Sequence, residues 1–213
     1  MIKAIVFDVW NTLAYNQGPN PFVYLREKYG ITDIKLIEKA VMTEDFKTDK
    51  ELIDAFCRYF RLEPAPEAMS EMLEGFRQGL KTAKLFDDVI PTLKNLRKTY
   101  RLGIISNTDS ISVQSLKKQG LFDNIQAQCL SCDVGLIKPD PEIFQLMLEK
   151  LDLKPGEVLM IGDNIDDDLI PASELGLATV LIRRPTKAAL SHHEGGVYPR
   201  TITSLKEIGK YLK

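Results

Sequence analysis

Asp8 is the first residue in this chain placed to do chemistry. It ends the apolar, β-branched run from Ala4 to Phe7, and a hydroxyl, Thr12, follows four residues later. Three more sites repeat the pattern of an apolar run that stops at polar groups. One is Ser106-Asn107, and another is Gly162-Asp163 with Asp166, Asp167 and Asp168 close behind. The third is Lys138, just ahead of Asp140-Pro141, a pair that suits a helix N-cap and first turn. A carboxylate able to attack or to bind a cation would thus meet hydroxyls, an ammonium and an acidic cluster.

The elements that must position these groups read as alternating strands and helices. Short β-branched runs at 3–8, 101–106, 125–130, 157–161 and 178–182 predict five buried strands. Helical patterns at 88–98, 110–119, 140–151, about 167–175 and 203–211 lie between and after them. Such alternation predicts an α/β fold, a doubly wound parallel five-stranded sheet covered on both faces. In such sheets, ligands bind at the carboxyl edge of the strands, where Asp8, Ser106 and Asp163 fall. Residues 15–84 break the alternation, with no convincing strand and four helical patterns at 21–29, 33–45, 48–60 and 67–80. This stretch reads as a small all-helical cap domain above the sheet edge, leaving 1–14 and 85–213 as the core domain. Phe46, Leu52, Phe56 and Phe60 are candidates for its own interior.

Composition narrows the class. The chain has 213 residues, 44% hydrophobic and 27% charged, with a formal net charge of −2. Those values suit a globular protein and give no basis for nucleic-acid or anionic-membrane partners. No stretch approaches the roughly 20 apolar residues of a membrane span. Three cysteines and a start that runs directly into a strand point to a cytoplasmic protein without disulfides. Cys129 and Cys132 have Cys-x-x-Cys spacing, but no second pair completes a zinc site, so burial is the expectation. His192 and His193 read as part of a solvated loop. Oligomeric state is not encoded legibly.

These signals together resemble the haloacid dehalogenase-like (HAD) hydrolase superfamily across nearly the whole chain: Asp8 with Thr12, Ser106-Asn107, Lys138-Pro139, and Gly162-Asp163 with a trailing acid, in that order. The helical insert lies where that superfamily carries a cap between its first and second motifs. The resemblance implies a Rossmannoid core and a magnesium-dependent phosphatase acting on a small phosphorylated molecule through an aspartyl-phosphate. Asp8 would be nucleophile and metal ligand, and Lys138 would offset charge at nucleophile and phosphoryl group. Thr12, Ser106 and Asn107 would hold the transferring oxygens. Asp163 and the main-chain carbonyl of Trp10 would complete the Mg2+ site. Counting back from Gly176 favours Asp168 over Asp167 as the supporting acid.

One position departs from the pattern. Phosphatases of this superfamily carry a second aspartate two residues after the nucleophile, which protonates the leaving oxygen and later activates water. Here that residue is Trp10, which can do neither and is left with packing or substrate stacking. General acid–base help is worth about 10² to 10⁴ in rate, so esters with poor leaving groups should suffer most. A 2-haloacid dehalogenase-like reaction needs no such acid, and a weakly active or non-catalytic ligand-binding relative is a further alternative. The acidic fourth motif favours a cation and therefore the phosphatase. A dehalogenase would need an arginine for its substrate carboxylate, for which Arg26, Arg58 and Arg61 are the candidates.

Overall fold

The apolar run at the amino end pairs on both sides, which is why it carries no polar face. A computed structural model describes residues 1–16, 21–81, 83–185 and 198–212. In chain order the elements are β1 (Ala4–Phe7), β2 (Ala14–Asn16), α1 (Pro21–Lys28), α2 (Ile34–Val41), α3 (Asp49–Phe60), α4 (Pro66–Lys81) and β3 (Ala83–Leu85). There follow α5 (Val89–Leu96), β4 (Arg101–Ser106), α6 (Ser110–Lys118), β5 (Ala127–Leu130), α7 (Ser131–Val134) and α8 (Pro141–Leu151). The chain closes with β6 (Val158–Gly162), α9 (Ile170–Glu174), β7 (Ala178–Ile182) and β8 (Thr201–Ile202).

The main sheet is parallel with strand order β5-β4-β1-β6-β7-β8. In register, Phe7 lies beside Ile104 of β4 and Ile161 of β6, so Asp8 emerges between two neighbouring strand ends. Ile5 and Phe7 pack on one face with Leu102, Ile104 and Leu159. Ala4 and Val6 pack on the other with Ile105, Phe144 and Met160. Burial of alternate residues on opposite faces explains the uninterrupted apolar runs. The five expected strands are all present. A sixth, β8, adds at the edge beside β7; two residues are too few to show a pattern in sequence.

Helices α1 to α4 have their own buried cluster, including Phe22, Leu25, Ile37, Val41, Leu52, Ile53, Phe56 and Phe76. Phe46 is buried in it, and Phe60 packs against it. Thr48 caps α3 by accepting from the N–H of Glu51 at 3.2 Å. The helices touch the sheet unit through α6, where the N–H of Phe46 donates to Ser110 Oγ at 2.9 Å and that hydroxyl donates back to the Phe46 carbonyl at 2.7 Å.

The expectation that 15–84 lacks strands needs correction. β2 and β3 pair antiparallel, with Tyr15 opposite Lys84 and Asn16 opposite Ala83, and they bracket the helices. Three residues are too short for an alternation to register. The ribbon forms because the Phe86 N–H donates to the Leu13 carbonyl at 3.1 Å and the Tyr15 ring lies 4.7 Å from that of Phe86. The closing helix is a 3-10 helix, Leu205–Tyr211. Cys57, Cys129 and Cys132 are buried free thiols, and His192 and His193 fall outside the described residues. No helix of the described residues is long and apolar enough to cross a membrane.

Candidate active site

Asp8 stands at the end of β1, its N–H donated to the Ile161 carbonyl at 2.9 Å, so the neighbouring strand fixes where the carboxylate begins. Only 5% of the residue is exposed. Lys138 arrives from the loop before α8 and is 3% exposed. Its ammonium donates to Asp8 Oδ1 at 2.6 Å and to Asp168 Oδ1 at 2.5 Å. The side chain of Asn107, just past β4, brackets the lysine backbone. Asn107 Oδ1 accepts from the Lys138 N–H at 2.8 Å, and Nδ2 donates to the Lys138 carbonyl at 3.0 Å. Behind Lys138, Asp140 Oδ1 accepts from the N–H of Glu142 at 2.9 Å and caps α8.

The acidic wall comes from the segment after β6. Asn164 Oδ1 accepts from the N–H groups of Asp166 and Asp167, opening a π-helical turn, Ile165–Leu169. That wider turn carries Asp168 inward, where Oδ2 accepts from the Asn164 N–H at 3.1 Å. The carboxylate lies against the Gly162 backbone so closely that a Cβ there would overlap it. Glycine is therefore required at that position by contact with the acid itself. Asp167 turns away and pairs with Lys35.

Asp8, Asp163 and Asp168 offer carboxylate oxygens that all lie within 4.8 Å of one another, and all three residues are buried. Burial, then the charges of Asp8 and Asp168, raises the Asp163 carboxyl well above its ordinary range. Burial chiefly, with the Asp8 charge, pushes Asp168 up to about 7, against the pull of Lys138. For Lys138 itself burial opposes the charge, but Asp168 and Asp8 outweigh it and raise its pKa. Three acids and one ammonium leave a local excess of negative charge. Among the described residues, Asp8 Oδ2 has no hydrogen-bond partner. A hard divalent cation taking oxygen ligands fits both facts.

The remaining expected residues fall around this centre in different ways. Thr12 is fully buried and its hydroxyl has no partner among the described residues. Ser106 is also fully buried, with Oγ 3.5 Å from the Asn107 carbonyl. The indole N–H of Trp10 donates to Thr108 Oγ1 at 3.2 Å, which ties the side chain to the loop after β4. Of the three arginines considered for a substrate carboxylate, Arg26 pairs with Glu27, and Arg58 and Arg61 are exposed on α3 and its cap. The helical segment instead sends Lys35 toward the acidic wall, reaching Asp167 at 2.6 Å.

Sequence reasoning missed Lys35, Glu38 and Asn11. The backbone of Asn11 is left-handed, with φ 58°, and its side chain hydrogen-bonds Asp163. A polar residue in a turn three positions after a candidate nucleophile was the available signal. Lys35 and Glu38 sit one turn apart on a helix whose polar face reads as solvated, so nothing local distinguished them. Cys129 and Cys132 play no part here. Burial pushes their thiols up to about 11 and about 12, which disfavours the reactive thiolate.

Comparison with known proteins places these observations in context. A family model described as haloacid dehalogenase-like hydrolase matches residues 2–176. A glyceraldehyde 3-phosphate phosphatase of Methanopyrus kandleri is 28% identical over 198 residues, covering 86% of this chain and 85% of the relative. The glyceraldehyde 3-phosphate phosphatase of Methanothermobacter thermautotrophicus is 27% identical over 229 residues, covering 98% of this chain and 100% of its own. Among solved structures, a HAD phosphatase from Thermococcus onnurineus aligns with a TM-score of 0.66 and 26% identity over 98% of this chain and 97% of that one.

Proposed function

The chain belongs to the haloacid dehalogenase-like hydrolases, and we propose that it is a magnesium-dependent phosphatase of a small phosphorylated metabolite, with residues 15–84 acting as the cap over its site. The observation that carries this reading is the unpartnered, buried Asp8 Oδ2 beside Asp163, in a cluster with more carboxylate than ammonium. A 2-haloacid, itself a carboxylate, would meet repulsion at that cluster. The curated relatives named above act, by their names, on glyceraldehyde 3-phosphate, a compound of the proposed class.

A bound Mg2+ would be held by Asp8, Asp163 and the Trp10 carbonyl, with Asp168 in support, and would supply positive charge between nucleophile and phosphoryl group. Asp8 attacks phosphorus, the ester oxygen departs, and an aspartyl-phosphate forms and is then hydrolysed. Lys138 neutralises the carboxylate against the approaching dianion. The hydroxyls of Thr12 and Ser106 and the Asn107 N–H donate to the phosphoryl oxygens; the free Thr12 hydroxyl supports that role. Trp10, whose N–H is already given to Thr108, packs beside the site and exchanges no proton.

Phosphate release from p-nitrophenyl phosphate and glyceraldehyde 3-phosphate, with and without Mg2+, tests the proposal. Metal-dependent turnover that falls by roughly 10³ or more in Asp8→Asn is expected. Halide release from a 2-haloacid without metal would replace this reading with the dehalogenase one. No release of either product would favour a binding protein.

A further inference from the structure

Strands β4 and β6 flank β1, so the segments that follow them rise on either side of Asp8. Asn107 comes from the first and Asp167 from the second. Helix α2 spans the gap between them. Lys35 Nζ lies 2.6 Å from Asp167 Oδ2, and one turn later Glu38 Oε2 lies 3.5 Å from Asn107 Nδ2. The two α2 side chains also meet each other, at 3.4 Å. Together they bridge the two segments that follow the strands on either side of β1. The Glu38 side chain is 20% exposed, so solvent is largely withdrawn from it.

We propose that Glu38 is the general acid and base of the phosphatase reaction, supplying from the helical segment the function that Trp10 cannot perform. The inference rests on the phosphatase reading above. As Asp8 attacks, the bond between phosphorus and the ester oxygen breaks, and its electron pair goes to that oxygen. The Glu38 carboxyl transfers its proton there, so the product leaves as a neutral alcohol. Glu38, now a carboxylate, takes a proton from the water whose oxygen attacks the phosphorus of the aspartyl-phosphate. The phosphorus–Asp8 bond breaks, phosphate leaves, and Glu38 is protonated again.

The surroundings suit this exchange. Burial is the main influence and raises the Glu38 carboxyl above its ordinary range, Lys35 opposes, and the Asp167 charge adds to the rise. Lys138 faces it from the loop before α8 and favours the carboxylate, while Asn107 presents a neutral amide. A carboxyl held above its ordinary range keeps its proton more readily than an exposed glutamate, which suits a group that must both give and take one.

The test is leaving-group dependence in Glu38→Gln. A series of phosphate monoesters from p-nitrophenyl to simple alkyl is compared between wild type and variant by kcat/KM. Alkyl esters should lose about 10² to 10⁴-fold, whereas p-nitrophenyl phosphate, whose phenolate leaves unprotonated, should lose less than about tenfold. Glu38→Asp, which keeps the charge on a shorter stem, provides the same comparison if the glutamine variant fails to fold, with a smaller loss in the same order. An equal loss across the series, or no loss, overturns the role of Glu38 and leaves the phosphatase reading intact. If wild type releases no phosphate from any ester, the phosphatase reading falls and this inference falls with it.

Discussion

Arg184 offers the most direct test of how the loop beneath the nucleophile is held. The residue is 4% exposed. Its Nη1 donates to Asp88 Oδ2 at 2.8 Å, and Nε and Nη2 donate to the Thr12 carbonyl at 3.0 and 2.9 Å. The guanidinium also lies 4.2 Å from the centre of the Phe86 ring. Asp88, itself buried, takes two further donors on Oδ2, from Ser204 Oγ at 2.6 Å and the Leu205 N–H at 2.8 Å. Arg184→Met keeps the apolar stem but strands a buried carboxylate and removes two donors from a buried carbonyl. Breaking one side of a buried pair costs about 3–5 kcal/mol. For a chain of this size that is a fall of roughly 6–20 °C in Tm.

Linkage adds an acid-side signature. Burial works to raise the Asp88 carboxyl, but the hydrogen bonds from Arg184 and Ser204 and the Arg184 charge outweigh it, so its pKa is lowered. A carboxyl with a depressed folded pKa contributes stability above its unfolded value, near 3.9, and that contribution is lost as pH falls through the folded value. The gap between wild type and Arg184→Met should therefore narrow below about pH 4. Adding Asp88→Asn to the variant removes the stranded charge and should recover about 1–3 kcal/mol. Urea unfolding at neutral and acid pH measures wild type, both single variants and the double variant. A neutral-pH loss under about 1 kcal/mol, or a double variant weaker than the sum of the singles, refutes the reasoning.

Two further outcomes follow from the site. Gly162→Ala should cost about 1–3 kcal/mol in chemical denaturation, because the new methyl must displace the Asp168 side chain; stability equal to wild type would contradict the close contact. Mg2+ at about 100 times its Kd should add about 2.7 kcal/mol to stability, read as a rise in Tm. Asp163→Asn should abolish that rise, and an undiminished rise would place the cation elsewhere.

The core strands were legible because each is buried on both faces, and only an unbroken apolar run satisfies that. The ends of those runs marked Asp8, Ser106 and Asp163, since polar groups appear where burial stops. Which of Asp167 and Asp168 turns inward depended on a π-helical turn that side-chain capping by Asn164 sets up, and counting back along the helix approximated it. The ribbon of β2 and β3 and the edge strand β8 were invisible, because two or three residues hold their conformation only through partners remote in sequence. Lys35 and Glu38 were invisible for a related reason. On an amphipathic helix their side of α2 reads as facing water, and only docking against the loops after β4 and β6 turns it toward the site.

The pairing of Asn16 with Ala83 has a consequence beyond positioning. Two antiparallel strands can be closed by a two-residue turn, and the strand ends that bracket the helices face each other as one residue pair. An insertion whose ends meet at that spacing would join the same pair of strand ends. The helical stretch thus enters through a single strand pair, and its position over the sheet unit is set by side-chain contacts made far from that entrance, such as Lys35 with Asp167 and Ser110 with Phe46.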